Sequence, residues 1–347
     1  MRSPETAELL RAIQGFEGRR VLVVGDLVAD EYIFGKPERI SREAPVLILR
    51  YLSQETRLGG AANACHNLHT LGATVVPLGV VGADRTGESL RRLLADQGMD
   101  AGGLVTVPDR RTPVKTRIMA GGSLSTRQQV VRVDREPEAG LPPAAEAALV
   151  ERLRAWAGRV DAVVLSDYGY GTITPRILGE ARKLAAQGAV VTADSRYDLL
   201  RFEGLTAATP NESEVELLLG VALDGDKAVE QAGWKLLDRL GSRCLLVTRG
   251  AKGLALFERG GEATFVPIHG SDEIADVTGA GDTVISTFTL ALATGARPPV
   301  AARLSNYAGG LVVMKRGTAT VHREELADAV RRDAGGAGTH DGTGARS

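Results

Sequence analysis

The chain has few of the features that mark secreted, membrane-bound or nucleic-acid-binding proteins. Its two cysteines, Cys65 and Cys244, lie far apart in sequence, which favours two buried thiols over a disulfide. No apolar run approaches the ~20 residues that cross a bilayer, and Glu5 and Glu8 stand where a secretory signal would be basic or apolar. A net charge of −1 favours neither nucleic acid nor an anionic membrane as a partner. We expect a cytoplasmic protein that binds small molecules.

The sequence also lacks two common nucleotide-binding motifs. No G-x-x-x-x-G-K-[ST] P-loop occurs, so any nucleotide must be held by other groups. A first buried strand is predicted from Arg20 to Gly25, and no G-x-G-x-x-G pattern follows it. This absence argues against a dinucleotide-binding unit and makes an NAD-dependent dehydrogenase a distant alternative.

What the sequence contains is an alternation of strand and helix patterns, which predicts an α/β fold with a mostly parallel central sheet and helices on both faces. Two stretches, about 31–58 and 104–135, instead alternate apolar and polar residues, with a hairpin turn expected at Gly121-Gly122-Ser123. We expect them to form a small β-sheet that acts as a lid. A single domain is expected over residues 1–333, followed by a disordered tail over 334–347.

The stretch 276–282, Asp-Val-Thr-Gly-Ala-Gly-Asp, is the most informative one. The apolar run after it predicts a buried helix, and the start of a helix presents unpaired N–H donors and a partial positive charge to an anion. Gly279, Ala280 and Gly281 are therefore predicted to cradle a transferring phosphoryl group. Asp282 is predicted to be the base that accepts a hydroxyl proton. The alternative, a tight helix entry with Asp282 as its charge partner, would suit a bare G-x-G better than this heptad.

Polar residues near the first strand are candidates for binding a sugar. Asp26 and Asp30 follow that strand, and ligands gather at the carboxyl ends of parallel strands. Loop capping is the alternative, chiefly for Asp30. Gly59 and Gly60 would let a ligand approach the backbone closely, and Asn63 offers both a donor and an acceptor to a polyol.

These motifs resemble those of a known family. The stretch 276–282 resembles the D-x-T-G-A-G-D signature of the ribokinase-like (PfkB) carbohydrate kinases, and the stretch 59–63 resembles their G-G-x-x-N signature. Within that family, Gly25-Asp26, the run 39–46, Ser166-Asp167-Tyr168 and the run 276–285 most resemble the D-glycero-β-D-manno-heptose-7-phosphate kinases. The resemblance covers about residues 21–330. It implies a ribokinase-like fold whose β lid covers the sugar and often forms a homodimer contact.

The same resemblance implies an activity. It predicts ATP-dependent phosphorylation of the anomeric C1 hydroxyl of D-glycero-D-manno-heptose 7-phosphate, which gives the 1,7-bisphosphate. Such kinases are often fused to a nucleotidyltransferase, and nothing after Val330 could encode one, so a separate nucleotidyltransferase is expected to act downstream. Kinases of another sugar, such as ribose or fructose, and a non-catalytic sugar- or nucleotide-binding regulator are the alternatives.

The resemblance also assigns residues to the nucleotide and the metal. Asn211 and Glu214 are expected to organise Mg²⁺, and they also match a helix capping box. The stretch 248–253 is assigned to the nucleotide by the resemblance, because its spacing alone would predict only an ordinary hairpin. A monovalent cation such as K⁺ near the cradle is a further possibility that the sequence leaves open. The residues expected to contact ATP are Asn211, Thr248, Gly250, Gly253, Thr278 and Asn306.

Basic residues in or beside the lid indicate whether the acceptor sugar already carries a phosphate. Arg39, Lys115, Arg117 and Arg132 are predicted to bind a phosphate already attached to the sugar. For each one the alternative is a solvated charged face of a strand. The chain departs from the heptose-kinase pattern at Tyr170, where a Lys is usual, and at Asp194-Ser195-Arg196, where Asp-Pro-Lys is usual. These departures leave the reaction class intact and bear on the identity of the sugar.

Overall fold

A computed structural model describes residues 4–121, 128–138, 140–270, 276–315 and 317–336. Part of the expected turn at Gly121-Gly122-Ser123 and residues 337–347 lie outside the described residues. The helices are α1 Pro4–Gln14, α2 Ala61–Thr70, α3 Arg85–Asp96, α4 Pro143–Ala155, α5 Pro175–Ala186, α6 Glu212–Leu219, α7 Asp226–Leu240, α8 Ala280–Ala293, α9 Pro298–Val313 and α10 Arg323–Gly336. The strands are β1 Arg20–Gly25, β2 Leu27–Ile40, β3 Leu47–Gly60, β4 Thr74–Gly82, β5 Leu104–Val107, β6 Val114–Ala120, β7 Gln128–Arg135, β8 Ala162–Asp167, β9 Val190–Ser195, β10 Ala207–Ala208, β11 Cys244–Thr248, β12 Leu254–Glu258 and β13 Thr264–Val266.

The main sheet has the strand order β13-β12-β11-β10-β9-β8-β1-β4-β5. Neighbouring strands in the part β11-β10-β9-β8-β1-β4-β5 pair in parallel. Strand β12 pairs antiparallel with β11, and β13 pairs antiparallel with β12 at one edge. The chain moves outward from β1 to β4 and β5, and then returns to β8 on the other side of β1. Such a reversal of strand order opens a crevice at the carboxyl ends of the strands, where ligands bind. The predicted mostly parallel α/β sheet is therefore confirmed.

A second sheet, with the order β3-β2-β6-β7, stands apart from the main one. Strands β2 and β3 have 14 residues each and form a long antiparallel pair, and β6 runs parallel to β2. The expected lid boundaries need one correction, because β5 pairs with β4 in the main sheet. Residues 104–107 therefore belong to the main sheet and not to the lid.

Alternating residues of β1 explain why the main sheet is covered on both sides. Val21 and Val23 pack in a hydrophobic cluster with α2, α8 and α9, while Leu22 and Val24 pack in a second cluster with α4, α5 and α7. Successive side chains of a strand point to opposite faces, so a strand that is apolar throughout must be covered twice. Cys65 lies within α2, and both cysteines are buried with free thiols, as predicted.

Helix ends follow the local signals except at the end of α10. The predicted capping box of α6 is present, since Asn211 and Glu214 each bond the other's backbone N–H. Helix α8 begins at Ala280, so Gly279 is its N-cap and Asp282 lies in its first turn. Helix α10 continues through Gly336, so the expected disordered tail is wrong for residues 334–336. That residues 1–333 form a single domain stays a prediction. In the described ranges no helix combines the length and the apolarity that a membrane span requires.

Two helical glycines test how tightly the layers pack. A Cβ atom on Gly233 in α7 would lie 2.2 Å from the Phe257 ring of β12, whereas one on Gly179 in α5 would meet no atom within 4 Å. We expect Gly233→Ala to lower the free energy of unfolding by about 1–3 kcal/mol through overpacking. Gly179→Ala should raise it by up to about 1 kcal/mol through helix propensity. Urea denaturation measures both, and equal effects of the two variants would contradict this packing.

Candidate active site

A cavity of about 550 Å³ lies where the main sheet meets the second sheet. Asp167, Asp194 and Thr248 line it from the carboxyl ends of parallel strands. Lys115 and Arg117 line it from β6 of the second sheet. The crevice at the carboxyl ends of the main-sheet strands and the second sheet therefore enclose a single cavity. The other lining residues are Val28, Asp30, Gly60, Arg132, Tyr168, Arg196, Thr209, Asn211, Glu214, Val277, Thr278, Gly279, Gly281, Asp282 and Thr318.

Asp282 lines this cavity from the first turn of α8 and is only 4% exposed. Its Oδ2 accepts a 2.7 Å hydrogen bond from the Asn63 amide, and its Oδ1 accepts a 3.0 Å bond from the Tyr168 hydroxyl. Burial raises the pKa of Asp282 to about 7, against the lowering effect of both hydrogen bonds. A carboxylate whose pKa lies near neutral pH is well matched to accepting a proton from a hydroxyl group.

The stretch before Asp282 fits its predicted role as an anion cradle. Thr278, Gly279 and Gly281 line the cavity at the N-terminus of α8. Gly279 has a φ of +81°, and a Cβ atom there would lie 2.7 Å from the Asn63 amide nitrogen. Only glycine therefore fits at this N-cap. Asp276 fixes the loop, because its carboxylate accepts the backbone N–H groups of Thr278 (2.9 Å) and Gly317 (3.0 Å).

Three residues predicted to bind sugar are placed elsewhere. Asn63 is fully buried and outside the cavity lining, and its amide binds Asp282 and Asn67. Asp26 is also buried and outside the lining. Gly59 makes room for a neighbouring carboxylate, because a Cβ atom there would lie 2.6 Å from Oδ2 of Asp30. In this structure neighbouring groups of the protein occupy the space around them, and their role as direct sugar contacts stays a prediction.

Asp26 holds a loop in place. Its Oδ2 accepts the backbone N–H groups of Tyr168 (2.9 Å) and Tyr170 (3.0 Å), and its Oδ1 accepts that of Thr172 (3.1 Å). Burial raises the pKa of Asp26 despite these bonds. Of the two aspartates for which the sequence allowed loop capping, Asp26 is therefore the one that caps a loop.

Asp30 and Gly60 do line the cavity, with the predicted basic residues beside them. Asp30 Oδ1 accepts a 2.5 Å bond from Arg117. Lys115 Nζ lies 3.2 Å from Asp134 Oδ2 and donates to the Tyr170 hydroxyl at 2.9 Å. This end of the cavity is therefore rich in cations that are held by second-sheet residues.

Arg132 and Arg39 differ in placement. Arg132 lines the cavity and pairs with Asp134 at 2.9 Å. Arg39 is exposed near the far end of β2 and is not among the lining residues. The prediction that Arg39 contacts the sugar phosphate in this cavity is therefore wrong. The 14-residue length of β2 carries it beyond the cavity.

The predicted metal residues lie on the opposite wall. Asn211 and Glu214 line the cavity while they cap α6, with 2.9 Å bonds in each direction. Burial raises the pKa of Glu214, and burial together with the charge of Glu214 raises the pKa of Asp194. This concentration of negative charge and oxygen ligands fits a hard divalent cation. Within the described ranges no three His, Cys, Asp or Glu residues form a closed metal cluster.

Four of the six residues predicted to contact the nucleotide line a smaller, mainly apolar pocket of about 150 Å³, while Asn211 and Thr278 line the larger cavity. Gly250, Gly253 and Asn306 line this pocket, and Thr248 lines both cavities. Asn306 is anchored by a 2.7 Å bond from its amide to the Pro267 carbonyl. At Gly253 (φ +88°) a Cβ atom would lie 2.1 Å from the Val266 carbonyl oxygen. The pocket joins the cavity beside the cradle, since Val277 and Gly281 line both.

Sequence reasoning gave no role to several residues of the site. Tyr168 bonds the predicted base, and Asp167, Asp194, Thr209 and Thr318 line the cavity. Asp167 and Asp194 lie at the carboxyl ends of β8 and β9, so a search for polar residues at strand ends could have found them. The bond from Tyr168 had no local signal, because its partner is 114 residues away.

The buried charge of Asp282 should reduce stability. Its pKa in the fold is about 7 and that of an unfolded aspartate is near 3.8, so the fold loses stability as pH rises between these values. We expect Asp282→Asn to be more stable than the wild type at pH 8 by about 2 kcal/mol, which is the gain from removing the buried charge less the loss from weaker hydrogen bonds. The gain should be smaller at pH 5. Urea denaturation of the ligand-free protein at both pH values measures this.

Asp276→Asn is the matched control in the same heptad. The hydrogen bonds to Thr278 and Gly317 lower the pKa of Asp276 against the effect of burial, so its stabilising effect is present at pH 8 and is lost in acid. This variant should be less stable than the wild type at pH 8. A destabilised Asp282→Asn protein at pH 8 would contradict the burial of a charge at that position.

Comparison with known proteins places this geometry in context. The curated relatives include the bifunctional protein HldE of Citrifermentans bemidjiense, 40% identical over 309 residues, which are 88% of this chain and 62% of the relative. The HldE of Mesorhizobium japonicum is 39% identical over 334 residues, 96% of this chain and 66% of the relative. The chain thus spans less than two thirds of the first of these relatives.

Solved structures share the fold. Arabidopsis thaliana ribokinase, solved with ribose and ATP, has a TM-score of 0.70 and 20% identity, covering 91% of this chain and 99% of its own. Escherichia coli phosphofructokinase-2, solved with potassium, has a TM-score of 0.72 and 19% identity over the same shares. The model of the pfkB family carbohydrate kinases matches residues 19–325. This chain therefore belongs to the pfkB family of carbohydrate kinases.

Proposed function

We propose that the protein is an ATP-dependent kinase that phosphorylates the anomeric C1 hydroxyl of D-glycero-D-manno-heptose 7-phosphate to the 1,7-bisphosphate. The observation that carries the choice of a phosphorylated acceptor is the set of cations around the second-sheet end of the cavity. The resemblance of the motifs to heptose-7-phosphate kinases and the similarity to proteins named HldE support the choice of heptose.

The charges at this end favour a dianionic group. Lys115, Arg117 and Arg132 line the cavity there, and Asp30 is the carboxylate among them. Asp134 pairs with Lys115 and Arg132 but does not line the cavity. The wall therefore has more positive than negative groups, and Lys115 and Arg117 are largely buried. Three cations pair with two carboxylates at this end, so a free sugar would leave one excess positive charge, whereas a phosphate would match it and accept charge-assisted hydrogen bonds.

The opposite side of the cavity suits ATP. The apolar pocket beside Asn306 would take the adenine ring, and the N-terminus of α8 would bind the transferring phosphoryl group. Asn211 and Glu214 would hold Mg²⁺, which neutralises phosphate charge when bound. Asp282 then accepts the proton of the C1 hydroxyl late in transfer, and the cradle stabilises the charge on the phosphoryl oxygens. Closure of the second sheet over the sugar would exclude water as a competing acceptor.

The departures at Tyr170 and Arg196 favour one alternative, a kinase of another sugar phosphate or of a ribose- or fructose-like sugar. Tyr170 does not line the cavity, and its hydroxyl contacts Lys115, while Arg196 does line it. We infer that a sugar phosphate would meet different groups here than in the heptose-kinase pattern. A non-catalytic regulator is disfavoured, because Asp282 and the cradle are both intact.

Further parts of the proposal concern the cellular setting. The relatives are named bifunctional, and this chain spans about 62% of the first one. We propose that a nucleotidyltransferase activity consumes the bisphosphate, and that both reactions take place in the cytoplasm. A monovalent cation near the cradle also stays a prediction.

Purified protein should phosphorylate heptose 7-phosphate with a kcat/KM at least about 100-fold above that for free heptose, ribose or fructose, because two or more buried charge-assisted bonds depend on the phosphate. Lys115→Ala should raise the KM for the sugar phosphate by tenfold or more, roughly the effect of one such bond. A coupled ADP-release assay measures these values.

Two variants serve as controls for this assay. Arg39→Ala removes an exposed arginine of the same sheet and should leave the KM unchanged, while Asp282→Asn should abolish turnover and retain ATP binding. Equal or better turnover of a free sugar would assign the enzyme to another acceptor.

The outer part of the second sheet fits the expected homodimer. Its exposed apolar side chains are Ile40, Val46, Leu47, Tyr51, Leu52, Val130, Val131 and Val133, which are 43–62% exposed. Exposed apolar groups concentrated on one sheet mark a contact surface. We expect a dimer by light scattering, and Val131→Glu should convert it to a monomer. Leu217→Glu, at an exposed position of α6, is the control that should stay dimeric. A monomeric wild type would refute the proposed dimer.

A further inference from the structure

We propose that Tyr168 is a positioning residue for Asp282, and that it acts together with Asn63 to fix the orientation of that carboxylate before the acceptor binds. The inference rests on the proposed role of Asp282 as the base. The Tyr168 hydroxyl donates to Oδ1 at 3.0 Å, and the Asn63 amide donates to Oδ2 at 2.7 Å. Each oxygen therefore has one protein donor.

Two donors on two oxygens restrict rotation about the last side-chain bond of Asp282. That torsion is broad and roughly two-fold in an unconstrained aspartate. Each carboxylate oxygen has about two lone-pair sites, so one bond to each leaves a site free for the incoming hydroxyl group. The arrangement selects which lone pair faces the cavity without using up the capacity of Asp282 to accept a proton.

Tyr168 is itself held by its loop. The Asp26 carboxylate accepts three backbone N–H groups, those of Tyr168, Tyr170 and Thr172. A residue outside the loop also binds it, since the Arg110 guanidinium donates to the Tyr170 carbonyl. A loop bound through several buried backbone groups has few alternative conformations, so the Tyr168 hydroxyl is preorganised. This gives the buried Asp26 a function at a distance from the cavity.

Asn63 is oriented by a chain of side-chain hydrogen bonds. The Thr283 hydroxyl donates to Oδ1 of the Asn67 side chain at 2.8 Å, which leaves the side-chain nitrogen of Asn67 as a donor. That amide contacts Oδ1 of Asn63 at 3.3 Å. The Asn63 amide nitrogen therefore points to Asp282 as a donor. Because Thr283 follows Asp282 directly in α8, this chain ties the helix and the donor together.

No cation pairs directly with Asp282 among the described ion pairs, so its side-chain partners are the two neutral donors. The titratable groups that act on it from the surrounding elements are Cys65 on α2, Asp30 on β2, Tyr168 after β8 and Asp194 on β9. Each of these is neutral or negative, and the nearby Arg117 is paired with Asp30. Loss of either donor should therefore make the ionised form of Asp282 harder to maintain.

Tyr168→Phe tests the proposal with the acceptor that the wild type uses best. We expect the acid limb of the kcat–pH profile to move up by about one pH unit, because one hydrogen bond to a charged group changes its ionisation roughly tenfold. With a wild-type midpoint of about 7, activity should fall about fivefold at pH 7 and recover almost fully at pH 9, with little change in the KM for ATP. Asn63→Ala should move the limb in the same direction.

Tyr170→Phe is the matched control on the same loop. Its hydroxyl contacts Lys115 and Glu136 and not Asp282, so the midpoint of the acid limb should stay at the wild-type pH while the KM for the acceptor changes. An unshifted limb in Tyr168→Phe, or an equal shift in both tyrosine variants, would overturn the proposed role of Tyr168.

A second measurement separates this inference from the proposed substrate. In protein labelled with ¹³C at aspartate carboxyl groups, Asp282→Asn identifies the Asp282 signal, and its titration can be followed without any sugar. The midpoint should be higher in Tyr168→Phe than in the wild type. If heptose 7-phosphate is not phosphorylated and the NMR midpoint still shifts, the substrate proposal fails and the positioning role stands. An unchanged midpoint would refute the role of Tyr168 even in an active kinase.

Discussion

The carboxyl group of Asp282 at the N-terminus of α8 is buried with two neutral hydrogen-bond donors and no direct cation partner among the described ion pairs. A cation at hydrogen-bond distance would stabilise the charge of Asp282 strongly and would make it a weaker base. Burial acts in the opposite direction and raises its pKa to about 7. The balance between burial and two neutral donors sets the basicity of this group, and much of the surrounding structure maintains that balance.

The donors reach Asp282 from separate parts of the chain. Asn63 comes from α2, which packs against α8, and Tyr168 comes from the loop after β8. Strand β1 lies between β4 and β8, so its carboxyl end brings Asp26 beneath that loop. The reversal of strand order at β1 thus creates the crevice and also delivers the groups that organise it. One feature, the position of β1 between β4 and β8, therefore determines both where the cavity lies and which groups surround Asp282.

The cavity is divided by charge. Asp194 and Glu214 concentrate negative charge on one wall, next to a pocket that is mainly apolar, whereas Lys115, Arg117 and Arg132 line the other end. The anion cradle and Asp282 lie between these regions in the lining of one space. Such a division orients two anionic substrates so that the phosphoryl donor and the acceptor hydroxyl meet at the base, which is the main requirement of phosphoryl transfer.

The sequence by itself determined the α/β class, most helix and strand positions, the family and the location of the cradle, because periodicity, capping residues and glycine-rich motifs act over a few neighbouring residues. It also indicated Asp30, Lys115, Arg117 and Arg132, which do line the cavity. Only the tertiary structure decided that Asp26, Gly59 and Asn63 support other protein groups, that Arg39 lies away from the cavity, and that Tyr168 bonds Asp282. Whether a polar side chain faces a ligand depends on which partner occupies its hydrogen-bonding groups. For Asn63 and Tyr168 that partner lies 219 and 114 residues along the chain, beyond the reach of any local pattern.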